Sequence, residues 1–391
     1  KDLIGNRLDL NNCNFIDKKQ ADNLRVGFSR PGDVLLTHKA TMGRVSVVPD
    51  GHEYIMLTPQ VTYYRIRDRF RLDPYFLKYA FLSPSFQHQL EATSDQSTRK
   101  YIGISAQQSL WIPLPPIEEQ RAIAYILKIL DNKIELNRHM NETLEAMARA
   151  IFKSWFVDFD PVHARAEGRE PAGMDAEMAA LFPDSFEETE FGIVPKGWKV
   201  GHLGDVAENP RRGIDPSQIP SVTPYIGLEH MPCKSIALNE WAYSDGLESN
   251  KFQFCRGNIL FGKLRPYFHK VGVAPIDGVC STDILVVEPK REYWFAFLLS
   301  HVSSDSFIDY TNSASNGTKM PRTNWQDMAR YDIVIPSEPI VRVLNSKIMP
   351  MIELMLSNIS QFRTLSTIRD ALLPKLLSGE ITAKKTLEIR S

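Results

Sequence analysis

The sequence predicts α/β (α+β) domains, duplicated, joined by two long antiparallel coiled-coil helices with pseudo-two-fold symmetry. Three observations carry this reading. The stretch IPLPPIEEQ (112–120) is expected to end a short apolar strand on prolines and begin a helix with acids in its first turn, and IVIPSEP (333–339) repeats the same exit. A heptad seam then runs through Ile123, Leu127, Leu130, Ile134, Asn137, Asn141, Leu144, Ala148, Ile151 and Trp155, its steps alternating four and three. Adding 221 to each number gives Leu344, Ile348, Met351, Met355, Asn358, Phe362, Leu365, Arg369, Leu372 and Leu376, so one offset carries the register through both helices.

Each element has its counterpart in chain order. PGDVLLT (31–37) and CRGNILF (255–261) are glycine turns that run into apolar strands. A basic loop follows each, THKATMGRV and GKLRPYFHKV, and then a short apolar strand, VTYYRI and DILVVE. One amphipathic helix is expected next in each copy, PYFLKYAFLSPSFQHQL and YWFAFLLSHVSSDSFIDY, followed by a polar loop, SDQSTRKYIGIS and SASNGTKMPRTN. The proline exit and a long helix close each copy. Each long helix is expected to span about 35 residues, or about 50 Å at 1.5 Å per residue. Pro350 should kink the second helix or mark its firm start, and Pro374 lies near its end. Antiparallel pairing would put the two globular domains at opposite ends of a rod. It would also set Asn141 opposite Asn358 and Asn137 opposite Phe362. A seam asparagine costs stability unless partnered, but it fixes register. Mutual pairing is expected, with water or a partner protein as the alternative source of hydrogen bonds.

These elements divide the 391 residues into a first domain (1–116, N-terminally incomplete), a first long helix (117–156), an acidic connecting segment (157–195), a second domain (196–338), a second long helix (339–378) and a tail (379–391). The first domain lacks a counterpart of PKGWKVGHLGD, which opens the second. The net charge of −1 argues against a nucleic-acid binder, but its distribution argues the other way. Residues 157–191 hold ten acids and only Arg165 and Arg169 as bases; setting these aside leaves 44 basic against 37 acidic residues. The acidic segment thus separates two basic bodies. No apolar run approaches the roughly 18 residues of a membrane span. The four cysteines, Cys13, Cys233, Cys255 and Cys280, show no metal-ligand spacing and read as buried reduced thiols in a cytoplasmic protein.

Candidate contact residues sit in the repeated loops. In the first basic loop the candidates are Lys39, Thr41, Gly43 and Arg44, two cations around a glycine, and Lys263, Arg265, Tyr267 and Lys270 occupy the second. Lysine and arginine can reach phosphates, and arginine can also grip a guanine edge with two hydrogen bonds. The alternative is a pair of solvated hairpin turns. Gln96, Ser97, Thr98, Arg99 and Tyr101 in one polar loop, and Asn316, Thr318, Lys319 and Arg322 in the other, suit base edges and phosphates, or form ordinary loops. Arg211 and Arg212 follow the first strand of the second domain and are contacts or a surface pair. The basic run 65–71 reads as a strand leaving into a turn with its charges in solvent. Asp158 and Asp160 have no histidine or lysine at nuclease spacing and read as helix-end residues. No phosphate-binding glycine loop, methyl-donor glycine motif, methylase motif or serine triad occurs, which points away from catalysis.

With these pieces in view, the chain resembles the specificity subunits of type I restriction-modification enzymes. The resemblance covers nearly its whole length and rests on PGDVLLTHKATMGRV, YIMLTPQVTYY, IPLPPIEEQRAIAYIL, ARAIFKSWFVDFDPVHARAEG, PKGWKVGHLGD, ILFGKLRPYFHKV and RDALLPKLLSGEI. It implies a non-catalytic subunit whose two target-recognition domains each read half of a split double-stranded DNA target. The long helices would set the spacing and dock two adenine methyltransferase subunits, and restriction (motor-nuclease) subunits would complete the complex. No cofactor is expected in this chain: S-adenosylmethionine would belong to the methylase partner, and ATP and magnesium to the nuclease partner. The competing expectation is a coiled-coil assembly adaptor whose duplicated end domains bind proteins.

Overall fold

A computed structural model describes residues 3–4, 6–10, 13–24, 26–94, 101–190, 192–315 and 320–383. The chain forms two compact units, Lys1–Ile134 with Thr364–Ser391, and Glu135–Arg363. Each long helix therefore lends one stretch to each unit.

In the first unit, β1 (Val34–Thr37) lies between β2 (Val45–Val47) and β3 (Val61–Tyr64) in an antiparallel sheet. All four β1 residues are buried, so this strand reads as a continuous apolar run instead of alternating. The single helix expected after β3 is in fact two, α1 (Pro74–Leu82) and α2 (Pro84–Thr93). Pro84 disfavours helical backbone at Ser83, which becomes extended and caps α2 through Phe86 N–H at 3.3 Å. Leu77 and Phe81 of α1 pack with Val34, Leu36 and Val45 of the sheet. Phe76, Tyr79 and Ala80 instead pack with Ile123 and Leu127 of α3 (Ile117–Phe156) and with Leu373 and Leu376 of the second long helix.

The second unit repeats this order. β4 (Ala207–Glu208), β5 (Ile259–Gly262), β6 (Val271–Val273) and β7 (Ile284–Pro289) form an antiparallel sheet in the order β4-β7-β5-β6, so β5 lies between β6 and β7 as β1 lies between β2 and β3. A five-stranded sheet, with Gly278–Cys280 at its centre, is added to this unit. Here too the expected helix divides, into α4 (Phe295–Val302) and α5 (Asp305–Ser313). Ser304, 221 positions after Ser83, caps α5 through Phe307 N–H at 3.2 Å. The break thus recurs without a proline, held by the serine cap alone.

α6 (Glu338–Ser378) is the second long helix. It runs unbroken through Pro350, so the proline does not mark its start. Pro350 and Ser346, whose carbonyl loses its intrahelical donor, both lie on the exposed side. α3 has 40 residues and α6 has 41, longer than expected and about 60 Å each. Every named seam position is buried or partly buried. The two helices run antiparallel within each unit. In the first, Arg369 Nη1 meets Asp131 Oδ1 at 3.0 Å, and Ala383 N–H donates to Glu119 at 2.8 Å. In the second, Asn358 Nδ2 donates to Asn141 Oδ1 at 2.8 Å, as the seam predicts. Asn137 donates to Gln361, the neighbour of the expected Phe362, at 3.3 Å.

Other expectations change. The second proline exit is a strand, Asp332–Ile335, paired with Lys199–His202. The first, around Trp111–Leu114, forms no strand and has no ladder partner among the described residues. Lys199–His202 lies in the opening segment that the first unit lacks in this sequence. The acidic segment is folded: it contains helices Asp160–Ala166 and Ala176–Ala180 and a hairpin, and it buries Val162, Met178 and Phe182 in the core of the second unit. Asp160 stands in the first turn of its helix and Asp158 pairs with Lys153. Of the cysteines, all free, Cys280 alone is buried; Cys233 and Cys255 are exposed. Among the described residues no helix is long and apolar enough to cross a membrane, and no cluster could hold a metal ion.

Candidate nucleic-acid interface

In the first unit the β1–β2 loop turns at two left-handed residues, Ala40 (φ 65°) and Gly43 (φ 84°). Gly43 is buried, and a Cβ there would fall 2.2 Å from Gln87 Oε1, whose amide nitrogen donates to Gly43 O at 3.0 Å. The glycine is a requirement of the turn and presents no side chain to a ligand. Lys39 and Thr41 are exposed, and their side chains make no hydrogen bond or ion pair to a described residue. Arg44 is only partly exposed; its Nη1 donates to Leu3 O at 2.8 Å, tying the loop to the short strand Leu3–Ile4. Beneath Lys39, His38 is buried against Thr62 Oγ1 at 2.9 Å and stands edge-on to Tyr101. Burial and then the Lys39 charge push its imidazole below the usual pKa.

The β5–β6 loop of the second unit follows the same plan. Arg265, 225 positions after Ala40, is again left-handed, at φ 52°. Lys263 and Arg265 are partly exposed, and Tyr267 and Phe268 stand out as a tilted aromatic pair with centroids 4.7 Å apart. Lys270 does not face outward; its Nζ donates to Leu228 O at 2.5 Å. Arg212 is clamped by the Glu288 carboxylate, with Nη2–Oε2 at 2.9 Å, which accounts for its charge within the unit. Arg211 is left-handed and exposed, its guanidinium 5.8 Å from the Phe252 ring.

One feature joins each basic loop to its polar loop. Lys39 forms an isolated antiparallel bridge with Tyr101, and Leu264 forms the same bridge with Arg322. Ile102 N–H donates to His38 O at 3.1 Å, and Thr323 N–H donates to Lys263 O at 3.1 Å. The base of the polar loop is thereby hydrogen-bonded to the basic loop in both units. Arg322 also lies 3.4 Å from Asp283. Gln96, Ser97, Thr98 and Arg99, and Asn316, Thr318 and Lys319, lie outside the described residues. Of the basic run, Arg65 is not a free solvent charge: it holds Asp33 with bonds of 3.0 and 2.7 Å. Sequence reasoning missed His38 and Asp283. Both sit next to or across from a basic loop, and only the folded contacts give them a role.

Comparison with known proteins places this geometry. Residues 4–146 match the family model described as the type I restriction modification DNA specificity domain. The chain is 26% identical over 371 residues to the MjaIX specificity subunit of Methanocaldococcus jannaschii, covering 90% of this chain and 78% of that one. It is 28% identical over 355 residues to the HindI specificity subunit of Haemophilus influenzae, covering 74% and 73%. The crystal structure of a type I restriction-modification S subunit from M. genitalium superimposes with a TM-score of 0.53 at 15% identity, over 89% of this chain and 84% of the other, a likeness of fold. The family model marks residues 4–146 as similar to a DNA specificity domain, and the structural likeness is one of fold. Over most of its length the chain is similar to the specificity subunits of type I restriction-modification enzymes, and its residues 4–146 carry the match to their DNA specificity domain.

Proposed function

We propose that this chain reads a split double-stranded DNA target, one half with each unit, and docks two adenine methyltransferase subunits and the restriction subunits. The observation that carries the proposal is the repeated bridge, Lys39 to Tyr101 and Leu264 to Arg322, which sets a basic loop beside a polar loop in both units. A basic loop can hold the phosphate backbone while its polar neighbour faces base edges. Lys39, Thr41 and Tyr101 would serve one half-site, and Lys263, Arg265, Tyr267 and Arg211 the other. Gln96, Ser97, Thr98, Arg99, Asn316, Thr318 and Lys319 complete the proposed contacts. Arg44, Lys270 and Arg212, each held within its own unit, would position the loops, and Gly43 their turn.

In this reading the units are related by a pseudo-two-fold axis, supported by the shared element order and the offset of 221. Half-sites about one helical turn apart lie roughly 34–36 Å from each other, within the length of the long helices. S-adenosylmethionine would be held by the methyltransferase partner, ATP and magnesium by the restriction partner, and the complex would work in the cytoplasm. Genome-wide mapping of adenine methylation in cells carrying the chain with its methyltransferase tests the proposal. A two-part motif with an unspecified gap is expected. A protein-binding adaptor would leave no sequence preference.

A further inference from the structure

Two helices made from one repeat face a problem of partner choice. α3 pairs with α6, yet α3 of a second chain offers nearly the same seam. The Asn141–Asn358 pair cannot tell them apart. If two copies of α3 paired antiparallel in the same register, the place of Asn358 would fall to Asn137, 221 positions earlier, and Asn141 would still meet an amide.

Asp131 behaves differently. In the first unit its carboxylate accepts from Lys78 Nζ at 2.7 Å, Tyr79 OH at 2.8 Å and Arg369 Nη1 at 3.0 Å. The equivalent positions in the second unit are Ile352, Leu299, Ser300 and Ala148, and of these Ile352, Leu299 and Ala148 are buried in one apolar core. The network therefore exists in only one half of the repeat. If a second α3 replaced α6, Ala148 would stand where Arg369 stands, and Asp131 would lose that donor. If a second α6 replaced α3, Ile352 would stand where Asp131 stands, and the Arg369 guanidinium would face an isoleucine. In the first case Asp131 keeps Lys78 and Tyr79 but loses one of its two cations, and in the second the partly buried Arg369 loses its carboxylate across the helix pair; each loss disfavours the wrong pairing, and polar groups at a helix seam select register and partner.

We infer that the Asp131–Lys78–Tyr79–Arg369 network is a partner-selecting lock that directs α3 to α6 and rejects the same helix of a second copy of this chain. The inference does not depend on DNA binding. It is tested on the full chain by co-expressing two differently tagged copies and measuring how much of one is captured with the other, with light-scattering mass as a second readout. The wild type should run as a single chain of 44.5 kDa. The triple variant Asp131→Ile, Lys78→Leu, Arg369→Ala copies the second unit. It should raise the co-captured fraction about tenfold, the ratio given by roughly 1.4 kcal/mol of lost discrimination, and shift the mass toward twice that of one chain. If the triple variant loses its helical circular dichroism, Arg369→Ala carries the same test, because Asp131 keeps Lys78 and Tyr79. A folded variant with wild-type mass and capture, or a wild type that already pairs with itself, overturns the inference.

Discussion

Replacing one member of the Asn141–Asn358 pair with leucine is expected to destabilise the second unit, while replacing both is not. Asn358 Nδ2 donates to Asn141 Oδ1 at 2.8 Å, and Asn141 Nδ2 reaches Met355 O at 3.4 Å; both residues are buried. Asn358→Leu strands the Asn141 carbonyl in an apolar seam. An unsatisfied buried polar group costs about 1–3 kcal/mol, or about 2–12 °C of melting temperature for a unit of this size. The double variant removes both polar groups and adds apolar contact, so its melting temperature should equal or exceed that of the wild type. Register would then rest on the Asn137–Gln361 contact, whose geometry is weaker at 3.3 Å. Thermal unfolding followed by far-ultraviolet circular dichroism on the wild type, both single variants and the double variant closes a double-mutant cycle. The coupling energy should exceed about 1 kcal/mol. If the two single effects add within about 0.3–0.5 kcal/mol, the amides do not act as a pair and the reasoning fails.

Lys39→Ala should relax or weaken recognition of one half of the DNA target and Lys263→Ala the other, and methylation mapping that finds both acting on the same half would refute the assignment. Each lysine that holds a phosphate should also lower the slope of log affinity against log salt by about 0.9, measurable by gel shift. Inserting four residues after Asn141 and four after Ser357, which the antiparallel register places together, adds about 6 Å and should lengthen the unspecified gap while leaving the bases read unchanged; an unaltered gap means that the helices are not the ruler. Burial pushes the Asp131 carboxyl upward, but Lys78, Arg369 and Tyr79 outweigh it and hold it below its ordinary 3.8. A depressed acid stabilises the fold above its unfolded pKa and loses that contribution as pH falls through the folded one. Acid unfolding of the wild type below pH 3.8 should therefore be steeper than that of Asp131→Asn. Equal slopes would count against the network.

The sequence by itself determined the duplication, the two long helices and their register. Heptad spacing is a property of one helix repeated along the chain, and a single offset of 221 predicted that Asn141 would meet Asn358. It also determined that Gly32, Gly43 and Gly257 sit in turns, since all three have positive φ. What it could not decide depends on partners far away in the chain. Arg44 and Lys39 look alike as two cations in one loop, yet Arg44 is tied to Leu3 and Lys39 is not. Arg212 reads as a surface cation until Glu288 closes on it. Two matching proline exits became one strand, Asp332–Ile335 paired with Lys199–His202, and one segment with no ladder partner among the described residues, because a strand forms only where another segment offers its backbone hydrogen bonds. Local pattern sets which groups are available. Tertiary contact decides which are used up within the fold and which are left facing outward, because ion pairs and hydrogen bonds are made across distances in sequence that periodicity does not encode.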